Sequence, residues 1–172
     1  MNHFHPPKKG EYPAYFDKYL QLNPKKNYAE LIGQQAEEIR RLFDSKPSSW
    51  TEKPYLAGKW TPKEVLGHVI DTERIMTFRG LCFARGERNA LPGFDQDPYV
   101  LHARFGAVPA ALLLEDFENQ RKALLTLIQT LPEEALDYLG TANGSDISPR
   151  ALFWIIPGHF IHHLNILKKR YQ

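Results

Sequence analysis

The chain has 172 residues, 42% of them hydrophobic and 24% charged, with a net charge of +2 and a pI near 8.6. This length holds one domain with a real core, and the composition excludes a disordered chain. The charge excess is small and no basic run exceeds Lys168-Lys169-Arg170, so neither a phosphate-binding stripe nor a nucleic-acid partner is expected.

Residues 1–22 read as an irregular N-terminal strap, with Tyr12, Tyr15, Phe16 and Tyr19 available to pack over the domain. Its start, Met1 to Pro7, lacks the apolar run of a signal peptide, and His3 and His5 read as surface groups of a Pro-rich tail. Asn23-Pro24 predicts the opening of a first helix, since Asn caps and Pro suits the first position. Tyr28, Leu31, Ile32, Gln35, Ile39, Leu42 and Phe43 carry it at helical spacing to about Phe43. Pro47, Pro54 and Gly58 mark the stretch 45–59 as a loop.

The second helix has the clearest start. Thr61-Pro62-Lys63-Glu64 is a capping box with Pro at the first position, and the apolar pattern runs on to about Gly86. A connection of about 20 residues follows, Glu87 to Ala107. Its segment Leu91 to Tyr99 is expected to cover a pocket mouth, as long loops in compact domains often do. Pro109 predicts a third helix, broken at Leu131-Pro132. Asn143-Gly144 is a turn signal. Ser148-Pro149 opens a last helix that reaches about Tyr171. Four long helices, two longer connections and scarce strand-like alternation predict an all-α four-helix bundle over residues 1–172.

No window approaches the roughly 20 apolar residues needed to cross a bilayer, so no membrane partner is expected. Cys82 is the single cysteine, which excludes an intrachain disulfide and fits a cytoplasmic protein. Its apolar neighbours and the lack of an activating partner make it a buried, inert thiol. Trp60 and Trp154 are assigned to the core.

The last helix carries Gly158-His159-Phe160-Ile161-His162-His163. Residues i and i+4 share a helix face, so His159 and His163 can point at one metal ion. His162 lies about 100° further round, on a more polar row, and is assigned to the rim. The i, i+3 pair His159 and His162 stays geometrically possible. Phe160 stands where a zinc-protease motif has its catalytic Glu. Imidazoles facing a core need partners, and a metal satisfies several at once. His68, alone on the second helix, reads on its own as a hydrogen-bonded, partly buried residue rather than a ligand. Pro157 removes one helical hydrogen bond, and with Gly158 it can bring His159 nearer the facing helix.

The run Gly58-Lys59-Trp60-Thr61-Pro62-Lys63-Glu64-Val65-Leu66-Gly67-His68-Val69-Ile70-Asp71-Thr72-Glu73-Arg74, then Arg79, then Gly158 to Leu167, resembles the DinB-like superfamily over about residues 15–172. That family takes its name from DNA-damage-inducible proteins and is related to bacillithiol- and mycothiol-dependent S-transferases. The resemblance implies an up-down-down-up four-helix bundle and a metal triad of one His from the second helix and two from the fourth. Here these match His68, His159 and His163. It also implies zinc or nickel as the divalent ion, with open coordination positions, and a homodimer.

A metal held by neutral imidazoles lowers the pKa of a bound thiol or water. The expected chemistry is therefore thiol S-transfer, with a low-molecular-weight thiol and an electrophile as substrates. A metal-binding stress-response protein without catalysis and a metal-dependent hydrolase are the alternatives. Asp71, near the face of His68, and Arg79, three turns further on, are the candidate catalytic residues: one to orient an imidazole or carry a proton, the other to bind an anion. Asp71 and Glu73 can equally form surface pairs with Arg74 or Lys63, and Arg79 can pair with Glu115 or Glu118.

Overall fold

The computed structural model describes residues 4–171. His3 lies outside them, and His5 is exposed. Four long helices form a bundle: α2 (Tyr28–Asp44), α3 (Pro62–Ala84), α5 (Ala110–Gln129) and α6 (Pro149–Arg170). Two short helices accompany them, α1 (Asp17–Leu20) in the N-terminal strap and α4 (Gln96–Ala103) in the connection after α3, with one hairpin of β1 (Gly140–Ala142) and β2 (Ser145–Ile147).

The helix starts follow from local chemistry. The Thr61 side chain accepts from the Glu64 amide while Glu64 reaches back to the Thr61 amide, the reciprocal capping box expected. Ser148 accepts from the Ala151 amide at 3.0 Å and Pro149 follows it. The first long helix starts later than Asn23-Pro24 predicts. Asn27 makes the cap, 3.0 Å from the Ala29 amide, while the Asn23 amide donates to the Trp154 carbonyl. Asn143 and Gly144 both have positive φ, 50° and 73°, which is the two-residue type I′ turn.

Two segments expected to be irregular are partly helical. Residues 14–20 make a 3-10 turn and α1, which lie on α6. The connection after α3 contains α4, capped by Asp95, whose side chain accepts from the Asp97 amide at 3.2 Å. Pro98 sits in its first turn, where a missing N–H costs nothing. The rest of this connection is tied to the hairpin: the Leu91 amide donates to the Thr141 carbonyl, and the Asn143 amide donates to the Leu91 carbonyl.

The core separates into two apolar halves, and the halves give the helix directions. One gathers Tyr28, Ile32, Met76, Phe83, Leu124, Ile128, Leu152 and Phe153. The other gathers Ile39, Phe43, Val65, Ile70, Leu113, Phe117, Phe160 and Leu164. Passing from the first half to the second, α2 and α6 ascend in residue number while α3 and α5 descend. The order is thus up-down-down-up, with α3 and α5 parallel neighbours.

A polar layer lies between the halves, with one contribution from each helix. Arg121 of α5 pairs with Glu73 of α3 at 2.8 Å, and both side chains are 2% exposed. Arg121 also donates to the Gln35 side-chain oxygen of α2 at 2.7 Å, and Gln35 donates to the Pro157 carbonyl of α6 at 3.1 Å. Glu73 is therefore a buried partner of Arg121, not the surface partner of Arg74 or Lys63. Pro157 cannot donate to the Phe153 carbonyl four residues earlier. The buried Tyr28 hydroxyl donates to that carbonyl instead, at 2.8 Å.

Candidate metal centre

Three imidazoles meet where α3 and α6 cross the polar layer. The Nε2 of His159 lies 3.2 Å from the Nε2 of His68 and 3.1 Å from the Nε2 of His163. All three ligand atoms fall within 4.8 Å of one another, and no other His, Cys, Asp or Glu group of this kind forms among the described residues. His68 and His159 are buried and His163 is partly so. Two nitrogens bound tetrahedrally at about 2.1 Å are about 3.4 Å apart, close to these separations. Three Nε2 atoms facing one point cannot all be satisfied by sharing protons, because neutral imidazole has one donor and one acceptor nitrogen. The donor set therefore fits a divalent cation, borderline-soft in character.

The electrostatics agree. Burial pushes His68 down to about 4, helped by His162. Burial and the neighbouring His68 and His162 push His163 down to about 3. His159 is held well below the ordinary histidine value by burial, then by the neighbouring His163, His68 and His162 and by Arg121. At neutral pH all three offer lone pairs. The Thr72 hydroxyl lies 3.5 Å from the Nδ1 of His68, one helical turn on, and helps turn its other nitrogen toward the cluster.

His162 stands apart from the cluster. Its ring lies edge-on to Tyr19 at 5.5 Å, on the strap side of α6. Tyr19 also meets His159 edge-on at 5.3 Å. Gly158 permits this approach, since a Cβ there would lie 2.1 Å from the Tyr19 carbonyl oxygen. Gly158 thus admits the strap beside His159.

Two cavities of about 350 Å³ flank the histidines. The first is lined by His68 and His159 together with Tyr15, Tyr19, Met76 and Phe94. The second is lined by His163 with Tyr55, Lys59, Trp60 and Tyr171. Gln96, at the start of α4, borders both. The connection expected to cover a pocket mouth contributes Phe94, Asp95 and Gln96 to the cavity wall. A larger cavity of about 640 Å³, between the strap and Trp154, contains none of the histidines.

Asp71 and Arg79 line neither flanking cavity. The Asp71 carboxylate is 3.8 Å from Arg74, and burial raises its pKa against the pull of that arginine. Arg79 is buried, donates to the Pro92 carbonyl at 2.6 Å and lies over the Phe94 ring. It does not pair with Glu115 or Glu118; Glu118 pairs with Arg40. Cys82 is half-buried, with its thiol pushed up by burial. Trp154 is in the core as expected, but Trp60 is only partly buried and its ring lies 4.9 Å from His68. Sequence reasoning placed Tyr15, Phe16 and Tyr19 in a packing strap and missed that they border the site. It also missed Thr72, although its i+4 spacing from His68 is legible.

A family model described as the DinB superfamily matches residues 31–167, most of the chain. The chain belongs to the DinB superfamily. Among solved structures, this DinB-superfamily fold is shared with YfiT from Bacillus subtilis, described as a probable metal-dependent hydrolase with an unusual four-helix bundle topology. The TM-score is 0.72 at 16% identity, covering 96% of this chain and 90% of that one. A mycothiol-dependent maleylpyruvate isomerase is also similar, with a TM-score of 0.64 at 15% identity, covering 84% of this chain and 61% of that one. No curated protein sequence matches the chain. No helix among the described residues is long and apolar enough to cross a membrane.

Proposed function

We propose that this chain is a metal-dependent enzyme of the thiol S-transferase type, with His68, His159 and His163 holding a divalent ion, zinc or nickel. The observation that carries the reading is the meeting of three neutral imidazole nitrogens beside two cavities. The shared fold of a mycothiol-dependent isomerase supports the thiol. A divalent ion at this point supplies Lewis acidity that favours the anionic form of a thiol.

The chain's own residues do the rest. Burial keeps the imidazoles neutral, so they can act as ligands at ordinary pH. Two cavities meeting at one cluster allow two substrates to approach from different sides. Arg79 acts as a positioning residue, holding the Pro92 carbonyl and Phe94 of the bordering loop. The resemblance and the single cysteine extend this reading to a cytoplasmic homodimer.

The second reading is a metal-dependent hydrolase, favoured by the description of YfiT, whose fold is shared. The test is turnover by protein loaded with zinc or nickel, using a panel of low-molecular-weight thiols with an electrophilic acceptor. Thiol-dependent, metal-dependent conjugation is the expected result. Metal-dependent turnover with water alone favours the hydrolase. A stable metal complex without turnover of any kind leaves a binding protein.

A further inference from the structure

The two cavities beside the histidines differ in chemistry. The one bordered by His68 and His159 is walled by Tyr15, Phe16 and Tyr19 from the strap, Met76 from α3, Phe94 from the connection and Ile155 from α6. Its one acid, Asp95, is engaged at the start of α4 through the Asp97 amide. The aromatic wall is held in place. Tyr19 packs edge-on to His159, Lys18 lies 3.8 Å over the Tyr15 ring, and Phe94 has Arg79 over its ring and the Tyr99 ring 5.3 Å away. The cavity bordered by His163 also carries aromatics, Tyr55, Trp60 and Tyr171, but adds the charged Lys59 and Asp97 to its wall. Aromatic walls attract a flat apolar group, through buried area and edge-to-face contacts. A volume of about 350 Å³ is at the small end for ligand sites and suits a single ring.

We propose that the cavity walled by Tyr15, Tyr19, Met76 and Phe94 binds an aryl group of the substrate and so sets the specificity of the site. This rests on the metal reading above and adds to it the class of substrate: a molecule with one aromatic ring next to the reacting group. Charged parts of the second substrate belong on the Lys59 side.

Hydroxamates test this without turnover, since they bind an accessible metal through two oxygens and differ only in their tail. Zinc-loaded protein, its metal content measured, is titrated calorimetrically with acetohydroxamate and benzohydroxamate. The aryl compound is expected to bind about tenfold more tightly. Phe94→Ala and Tyr15→Ala, both at cavity walls away from the core, should each reduce that ratio at least about threefold while leaving acetohydroxamate affinity and metal content unchanged. Tyr55→Ala, in the other cavity, should keep the ratio. Bound metal with equal affinities for the two compounds overturns the aryl site alone. A ratio lost in Tyr55→Ala but kept in Phe94→Ala and Tyr15→Ala overturns it too, placing the ring on the wrong side. Failure to hold metal, or to bind either hydroxamate, overturns the metal reading and the aryl site with it.

Discussion

Glu73 and Arg121 face each other from parallel helices, the guanidinium Nε 2.8 Å from a carboxylate oxygen and each side chain 2% exposed. Removing one member of such a pair leaves the other charge buried and uncompensated. Arg121→Leu should therefore lower unfolding free energy by about 3–5 kcal/mol, measured by urea denaturation. The double variant Glu73→Leu/Arg121→Leu should regain at least half of that loss. Equal losses in the single and double variants would mean that the charges are not coupled.

The same pair predicts a pH dependence. Burial raises the Glu73 carboxyl above its ordinary value, and Arg121 pulls it down. In Arg121→Leu the main opposing influence is gone, and burial is countered only by Gln120 and Arg74. A carboxyl with a higher pKa folded than unfolded holds more protons in the folded state, so stability falls as pH rises above about 4.3. The stability gap between wild type and Arg121→Leu should widen from pH 5 to pH 8. A constant or narrowing gap counts against a buried, ionising Glu73.

The Tyr28 hydroxyl takes up the Phe153 carbonyl that Pro157 leaves without its helical donor. Tyr28→Phe should cost about 1–3 kcal/mol, the penalty for a buried acceptor without a partner. Adding Pro157→Ala restores an amide donor, so the cost of Tyr28→Phe should shrink in that background. Thermal unfolding of the four proteins in a double-mutant cycle gives the coupling. Zero coupling would show that the hydroxyl and the proline act independently.

Metal affinity should follow the imidazole geometry. His163→Ala is expected to weaken zinc binding more than about a hundredfold, with the helical circular dichroism retained. Thr72→Val, which removes the hydroxyl near the Nδ1 of His68, should weaken it about tenfold. Competition with a chromophoric chelator measures both. Wild-type affinity in His163→Ala would remove that residue from the ligand set.

Gly158→Ala places a methyl group 2.1 Å from a backbone oxygen of the strap, which has no flexible side chain to move aside. The strap should lift. Limited proteolysis should cut near Tyr19 faster than in wild type, and stability should fall by about 1–3 kcal/mol. An unchanged cleavage pattern would mean that the strap accommodates the methyl group without leaving α6.

The long helices were legible because their ends carry local chemistry: the Thr61 box, Ser148-Pro149 and Leu131-Pro132 act within a few residues of themselves. The His159 and His163 pair was legible from spacing, and His68 from the family resemblance. The polar layer was not. Gln35 passes as one polar residue in an apolar stripe, while Glu73 and Arg121 look like surface residues on their own helices. Only packing brings them together. Asn23-Pro24 has the composition of a helix start, yet Asn27 takes that role: the Asn23 side chain is turned toward Trp154, donating its NH2 to that carbonyl, and its oxygen caps no helix. The α4 helix was hidden by Pro98, whose place in a first turn cannot be told from a place in a loop.

Neighbouring helices that run the same way impose a demand that antiparallel ones do not. After α3 ends at Ala84, the chain has to return the length of the bundle before α5 begins at Ala110. A helix of about 20 residues spans about 30 Å, so a tight turn cannot make the journey. The return path is where Phe94, Asp95 and Gln96 are found, beside the imidazoles. Part of the wall beside the site thus comes from the handing of chain direction between two helices. Sequence change there is bounded in reach as well as in composition: a deletion that leaves the path too short would pull on the bundle before it opened the site.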